Sequence, residues 1–459
     1  MAHGQADITR RGLLGALAAA PVAAVATPAF AGNEAFSLAE LRGSVSAADL
    51  GLIPGAIDDQ SRKLQAILDV ASNANQPIFL PPGIYNVSNI TLPKRVRLTG
   101  VPGASRLVNS GNGHFLLSEN AEHLEITGVT LDGANRTISE YAGAALKIAN
   151  AQLAVIDNCQ IYGSATNGLQ IERSRGRVER SMISGAMGGC GIYGVENNNF
   201  SIIANEVTSC LNGGILVHRW ESGEDGTIVS GNRISGISAT KGGTGQWGNG
   251  INIFRANSVI VSNNHVSGCA FSAIRSNSGS NVQITGNTCL RSGETSIYSE
   301  FEFEGALIAN NIVDGAAIGI SIANFMQGGR MAVVSGNMIR NLHVSAPYQT
   351  ADQFFGIGIS AEADTAISGN VIEGAERFGM SLGWGPYLRD VVVSSNVIRK
   401  AQTGIGVTVV EGAGKALISD NIITGHSKGA IVGHRWKDAV TGDLALKGGG
   451  RHDHLSIER

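Results

Sequence analysis

One pattern recurs along most of the chain: an apolar run, an asparagine, an apolar pair, a small-residue turn, then Gly-Ile-x-Ile. The asparagine falls at Asn158, Asn205, Asn232, Asn264, Asn287, Asn311, Asn337, Asn370, Asn396 and Asn421. Ser181 replaces it once, and Val129 stands in its place in the earliest recognisable repeat. The closing segment reads Gly168-Leu169-Gln170-Ile171, then Gly214-Ile215-Leu216-Val217, Gly250-Ile251-Asn252-Ile253, Gly319-Ile320-Ser321-Ile322 and Gly404-Ile405-Gly406-Val407. A period of about 23 to 33 residues made of short β segments means a solenoid, because no single repeat can bury its own apolar face. Alternating aliphatics then point inward and stack coil on coil, with the intervening residues outward. Asparagine suits the bend between strands because it tolerates a left-handed backbone and its amide can bond to the asparagine of the next coil. A leucine-rich frame is absent, and a propeller would need longer blades.

Composition agrees with short strands and tight turns: 62 glycines, 15% charged and 5% aromatic residues. A formal net charge of -3 provides no basic field for a phosphate backbone, so nucleic acid is not an expected partner. Cys159, Cys190, Cys210, Cys269 and Cys289 include no C-x-x-C pair and read as small buried thiols, with Cys210 and Cys269 at one repeat position two coils apart. At the N-terminus, Arg10-Arg11 precede an apolar, alanine-rich run and Ala29-Phe30-Ala31 offers a cleavage site. These features predict a twin-arginine signal over residues 1–31, cut after Ala31, and a periplasmic or secreted protein handled by the twin-arginine translocation machinery. The apolar run is shorter than the roughly 20 residues a span requires, so no membrane span is expected in the mature protein.

Asp49-Leu50-Gly51, Asp58-Asp59, an amphipathic segment over Ser61 to Ala71 and Phe79-Leu80-Pro81-Pro82-Gly83-Ile84-Tyr85 precede the repeats. Together with the repeat, this opening resembles the right-handed parallel β-helix proteins of the pectate-lyase-like superfamily. More narrowly, signal plus repeat resembles a family of twin-arginine-translocated repeat proteins. The resemblance implies an all-β, right-handed parallel β-helix of about a dozen coils, its open end covered by a helix through Leu64, Ile67, Leu68 and Ala71. Residues 32–123 would hold the cap and first coils, and 124–459 the repeats. At the far end, Leu455-Ser456-Ile457 begins another coil whose edge must be covered or left exposed.

Function in such a solenoid lies on outward ladders. The outward positions of the Gly-Ile-x-Ile strands concentrate polar groups in the middle coils: His218, Asn252, Arg275, Asn277, Tyr298, Glu300 and Glu362. Two long turns flank them, 237–249 with Lys241 and Trp247, and 342–357 with His343, Tyr348, Asp352, Gln353, Phe354 and Phe355. Aromatic residues on long turns suit stacking on sugars, so Trp247, Tyr348 and Phe354, with Asn252 and Asn277, are the substrate-binding candidates for a polysaccharide or oligosaccharide. Arg275, Tyr298 and His218 could act as cation, acid and base of a polysaccharide lyase. Glu300 and Glu362, with Glu302 and Asp364, could supply the two carboxylates of a hydrolase, or oxygen ligands for calcium. No cofactor is otherwise implied, and no metal-ligand spacing is found. A non-catalytic carbohydrate-binding or envelope-structural solenoid stays open beside the enzyme. His218-Arg219-Trp220 recurs as His434-Arg435-Trp436 and reads as a structural turn with the arginine near the indole face.

Replacing Arg10 and Arg11 together by lysine should hold the precursor in the cytoplasm, and the exported protein should begin at Gly32 by intact mass. Mature double variant at normal amount outside the cytoplasmic membrane would sink the targeting assignment.

Overall fold

The computed structural model describes residues 43–243, 245–324, 328–348, 354–447 and 450–458. Residues 1–31, and with them the signal, lie outside the described residues, as do Asp352 and Gln353. The chain winds into a right-handed parallel β-solenoid of about 13 turns. Each middle turn contributes a first strand such as Ile260–Ser262, a short second strand such as His265–Cys269 and a third such as Ile274–Asn277. First strands stack into a 16-stranded sheet; second and third strands form a 27-stranded one. Ile126, Ile156, Val178, Ile202, Val229, Val261, Ile284, Ile308, Val334, Ile367, Val393 and Ile418 pair in consecutive coils, all buried. Each such side chain contributes about 1.5–3 kcal/mol by leaving water. The glycine that opens Gly-Ile-x-Ile faces this core at a corner. A Cβ on Gly250 would lie 2.4 Å from Val266 Cγ1 of the next coil, and one on Gly379 2.3 Å from Ile398 Cγ2.

The asparagine ladder runs unbroken from Asn205 to Asn421. Each Nδ2 donates to the Oδ1 of the next coil's asparagine at 2.9–3.1 Å. The same Nδ2 donates back to a carbonyl of the preceding coil, as Asn311 does to Ile284 O at 2.9 Å. Its Oδ1 takes the backbone N–H of the asparagine below, as Asn311 takes that of Asn287 at 2.9 Å.

Two details of the expected ladder are corrected. Asn158 is not a rung: Cys159 occupies that position, in register with Ser181 and Val129, and the Ser181 hydroxyl accepts the Cys159 N–H at 3.1 Å. Nor do the rungs take the left-handed conformation. The residue before each rung does, including Asn158, Arg180, Ala204, Gly231, Asn263, Gly286 and Asn310. Turning the chain and bridging the coils are therefore the tasks of adjacent residues.

The helix Ser61–Asn73 buries Leu64, Ile67, Leu68 and Ala71 over the first coils, as the spacing predicts. At the other end the chain covers part of its own edge. Gly429–Arg435 pairs with Asp438–Asp443, the one antiparallel pairing among the described strands, and Leu444 plugs the core. The Asp443 carboxylate caps the exposed backbone by accepting Ala430 N–H at 2.7 Å and Ile431 N–H at 3.1 Å. Leu455–Ile457 does begin a further coil, pairing with Ala416–Ser419. All five cysteines are buried and free, and Cys210 and Cys269 share one register position through Ile237. Among the described residues no helix is long and apolar enough to cross a membrane.

Replacing Asn311 by leucine removes both its donated and its accepted bonds and leaves Asn287 N–H and Ile284 O without their partner. Each buried group left unpaired costs about 1–3 kcal/mol, so the loss in urea unfolding should reach about 3 kcal/mol. Replacing exposed Lys415 or Asn158 by alanine should change little, and equal shifts would refute the ladder's role.

Candidate functional site

The third strands present the outward residues in two rows, about 4.8 Å per rung. Leu216, Asn252, Arg275, Tyr298, Ser321, Ser360 and Ser381 follow one another in the first row. His218, Phe254, Asn277, Glu300 and Ala323 do so in the second, and Glu362 follows the strand Ile357–Ala361 one coil further. The rows are those the alternation predicts, but the middle of them is not a solvated surface. The long turns fold over it, so that His218, Asn252 and Glu300 are 3% exposed and Arg275 8%.

Burial makes the ion pair at the centre structural. Arg275 Nε donates to Glu300 Oε1 at 2.6 Å, with Nη2 on the same oxygen and Asn277 Nδ2 adding a bond at 2.9 Å. Nη1 of Arg275 donates to Gly245 O, tying down the 237–249 turn. Its guanidinium lies 5.7 Å from the centre of the Tyr298 ring. An outward residue that contributes little to stability is thus the wrong description of Arg275. Removing one partner of such a buried pair costs about 3–5 kcal/mol.

The 237–249 turn divides what the sequence suggests is one groove into three compartments. Trp247, with the Lys241 ammonium 4.8 Å from its ring centre, joins Tyr193, Leu216 and Asn167 around a cavity of about 230 Å³. His218, Asn252, Phe254, Arg275 and Asn277 line a second of about 220 Å³ beneath Gly245 and Gln246. Tyr298, Glu300 and Glu362 line a third of about 340 Å³, together with Phe354. Trp247 therefore does not wall the compartment of Tyr298. Asn277 belongs to the second cavity while bonding a carboxylate of the third.

His218 is packed as an aromatic residue, its ring centre 5.4 Å from that of Tyr193 and 5.6 Å from that of Phe254. Burial pushes its imidazole down to about 4. Its Nε2 stands 3.2 Å from Asn252 Nδ2, which donates to the neutral ring. The nitrogen a general base would use is occupied.

The third cavity also contains Glu294, which sequence reasoning missed. It precedes the strand Thr295–Glu300, outside the alternating register from which outward residues are read. Its carboxylate accepts the Tyr348 hydroxyl, a contact between residues far apart in the chain. Burial raises the Glu294 carboxyl above the usual range, with the negative charge of Glu300 adding to the effect. Burial raises Glu300 as well, opposed by Arg275 and Asn277. Tyr298 is pushed far up by burial and by the charges of Glu300, Glu294 and Glu362 around it, so its hydroxyl stays protonated. Glu362 Oε2 accepts Asn324 N–H at 2.9 Å.

Tyr348 packs against Phe271 and Phe355 at the rim, with ring centres 6.3 and 5.8 Å away. Beyond the cavity, Phe354, Trp384 and Trp436 form an aromatic group, with centres 5.6 Å apart for the first two and 5.4 Å for the last two. Trp384 is a second omission of the sequence reading, in which Trp436 figures only as part of a structural turn. Trp384 follows Gly383 of the second row, where only the strand residues themselves were considered.

Glu302 is exposed and Asp364 is held by Arg389 at 2.6 Å, so neither joins the cavity. Among the described residues no group of three or more His, Cys, Asp or Glu side chains is placed to hold a metal ion. In the two His-Arg-Trp turns the histidines occupy the same row. The arginines do not stack on their tryptophans: Arg219 faces Asp225 at 3.7 Å and Arg435 pairs with Glu411.

A family model described as the right handed beta helix region matches residues 104–234, 220–329 and 322–441, and the chain belongs to that family. No curated protein matches the sequence. Among solved structures the chain is similar to the N-terminal fragment of gene product 12 of bacteriophage phi29, with TM-score 0.59 and 16% identity over 92% of this chain and 75% of that one. The pre-mature form of gene product 12 gives 0.51 and 14% over 88% and 58%. PfbA, a surface adhesin of Streptococcus pneumoniae, gives 0.44 and 15% over 91% and 100%. At these identities the likeness is one of fold.

His218 titrates near 4 when folded and near 6.5 when unfolded, so between those values the unfolded chain binds the extra proton. Stability contributed by the neutral ring is present above pH 6.5 and is lost as pH falls toward 4, by about 3 kcal/mol in all. His218→Phe should flatten the pH dependence of the urea midpoint across that window. Parallel curves for the variant and the parent would count against the burial argument.

Proposed function

We propose that the protein is an exported glycan-acting β-helix and that it hydrolyses a polysaccharide in the third cavity. The observation that carries this reading is that Glu294 and Glu300 line one cavity with Tyr298, both carboxyls buried and in differing surroundings. Glycoside hydrolysis needs one carboxyl that stays protonated to donate to the leaving oxygen, and one carboxylate that activates water or attacks. Glu294, raised by burial and by the charge of Glu300 against the opposing pull of the Tyr348 hydroxyl and Arg275, is the proton donor. Glu300, in contact with the Arg275 guanidinium, is the one of the two that ionises first. The protonated Tyr298 hydroxyl, in the same cavity, is a donor to a sugar oxygen, and Glu362 adds a further acceptor.

Lyase chemistry is less well served. It requires a cation to quench the carboxylate of a uronate, whereas no Lys, Arg or His is among the described residues lining this cavity. Arg275 is committed to Glu300 and Gly245 and opens onto the neighbouring compartment.

The purified mature protein should release reducing ends from a neutral polysaccharide without generating unsaturated uronate. Glu294→Gln and Glu300→Gln should each lower kcat by about 10²–10⁴-fold. Unsaturated uronate as the product, or both variants at full rate on a confirmed substrate, would overturn the assignment. Glycan binding with no product from the parent protein would mark the cavity as a binding site.

A further inference from the structure

The third cavity continues toward the C-terminus into a shallower crevice, with Phe354, Ser381, Gly383 and Trp384 in both linings. On its N-terminal side Gly245 and Gln246 belong to the neighbouring compartment, where Arg275 donates to Gly245 O. Toward the C-terminus the first row becomes small: Ser321, Ser360, Ser381 and Gly406 stand in consecutive coils. The Phe378 ring lies over the last of them, so that a Cβ on Gly406 would come within 2.9 Å of its Cε1. Trp384 is at once part of the cavity wall and part of a shallow crevice beyond it, where Trp436, Phe378 and His434 continue the lining.

This crevice has the chemistry of a sugar platform. No Asp, Glu, Lys or Arg lines it, and burial lowers the His434 imidazole, which keeps the ring neutral. Trp436 is 45% exposed, which leaves part of its ring open to solvent. Its position is set by an absent side chain. A Cβ on Gly385, whose φ is 55°, would come within 2.3 Å of Trp436 Cη2, so the indole rests directly on the Gly385 backbone. Gly383 is three rungs beyond Glu300 and His434 is five, about 14 and 24 Å along the axis. That span is the length of a short oligosaccharide.

We propose that Trp384 and Trp436 are a distal subsite for uncharged sugar rings of the same glycan. The chain then lies along the solenoid axis, from the carboxylates to Trp436, and leaves the cavity on that side. This rests on the reading of the third cavity as the reacting site and goes beyond it by assigning direction, extent and the neutral class of the bound rings. Flat indole faces bind the C–H faces of pyranoses, while the serines below supply hydroxyl partners. An aromatic group that merely covers Phe378 would be indifferent to glycan length.

The test uses the full mature chain carrying Glu294→Gln, titrated with cello-, laminari- and malto-oligosaccharides from disaccharide to hexasaccharide, with oligogalacturonate as the acidic control. Calorimetry and tryptophan fluorescence report binding. Affinity for one neutral series should rise with chain length. Trp384→Ala or Trp436→Ala should each abolish that rise, by about tenfold for the hexasaccharide, while leaving the disaccharide within about twofold. Trp436→Tyr, which keeps a ring on Gly385, should retain most of it and guards against a variant that fails to fold. Unaltered length dependence in the folded alanine variants overturns the subsite, as does tighter binding of the galacturonate series or no binding of any neutral series by the parent. The two readings fail separately. Length-dependent binding lost in the tryptophan variants, with no hydrolysis by the wild-type protein, leaves the platform and removes the hydrolase. Hydrolysis with unaltered length dependence does the reverse.

Discussion

An asparagine side chain has two donor hydrogens and two acceptor lone pairs, and in the interior rungs of the ladder from Asn205 to Asn421 all four are used between coils. Asn311 shows the full set: it donates to Ile284 O and Asn337 Oδ1 and accepts from Asn287 N and Nδ2. A bend that would otherwise bury unpaired amides becomes a continuous column of bonds, and a column of this kind permits only one register. Because side chains alternate with a period of two, a slip of one residue would turn Tyr298 and Glu300 into the core and Ile297 out of it. The site therefore depends on a feature at a different corner of the coil.

Fixed corners also explain why insertions collect where they do. A turn that re-enters the same Gly-Ile-x-Ile strand can lengthen without disturbing the ladder. The 237–249 and 343–356 turns both do so, and each is anchored to a buried group: Lys241 N–H to Asn212 Oδ1 at 2.7 Å, the Tyr348 hydroxyl to Glu294. Once covered, the outward row is no longer surface. Arg275 must then be paired, His218 must be neutral and the carboxyls rise. The chemistry proposed for Glu294 follows from the same desolvation that makes the Arg275–Glu300 pair costly to break.

The fold, its capping helix and the two outward rows are legible in the sequence because each follows from a local period. The ladder's start is misread at Asn158 for a definable reason. Two adjacent positions both suit asparagine, one for its left-handed backbone and one for its amide, and Asn263-Asn264 and Asn310-Asn311 fill both. In Asn158-Cys159 only the first is filled, and nothing in the sequence tells which. Glu294 and the split of the groove are not legible at all. They depend on where Tyr348 and Gly245 come to rest on coils distant in sequence, and period carries no information about that.

Charge along the solenoid axis then gives the site its polarity. Lys241 stands on the N-terminal side of the Gly245 ridge, the carboxylates of Glu294, Glu300 and Glu362 immediately beyond it, and uncharged aromatic residues from Phe354 to Trp436 after that. A polyanionic chain laid along the trough would set its own charges against the carboxylates of Glu300 and Glu362, and like charges repel more strongly beside buried groups than in water. The cation nearest to them is already shared between Glu300 and a backbone carbonyl, and freeing it would break the tie that holds the 237–249 turn. A neutral chain meets no such opposition and finds hydroxyl partners on the serine floor. On the proposed reading, the arrangement that keeps the Arg275–Glu300 pair satisfied would also disfavour an acidic glycan, and substrate class would follow from how the two long turns bury the middle coils.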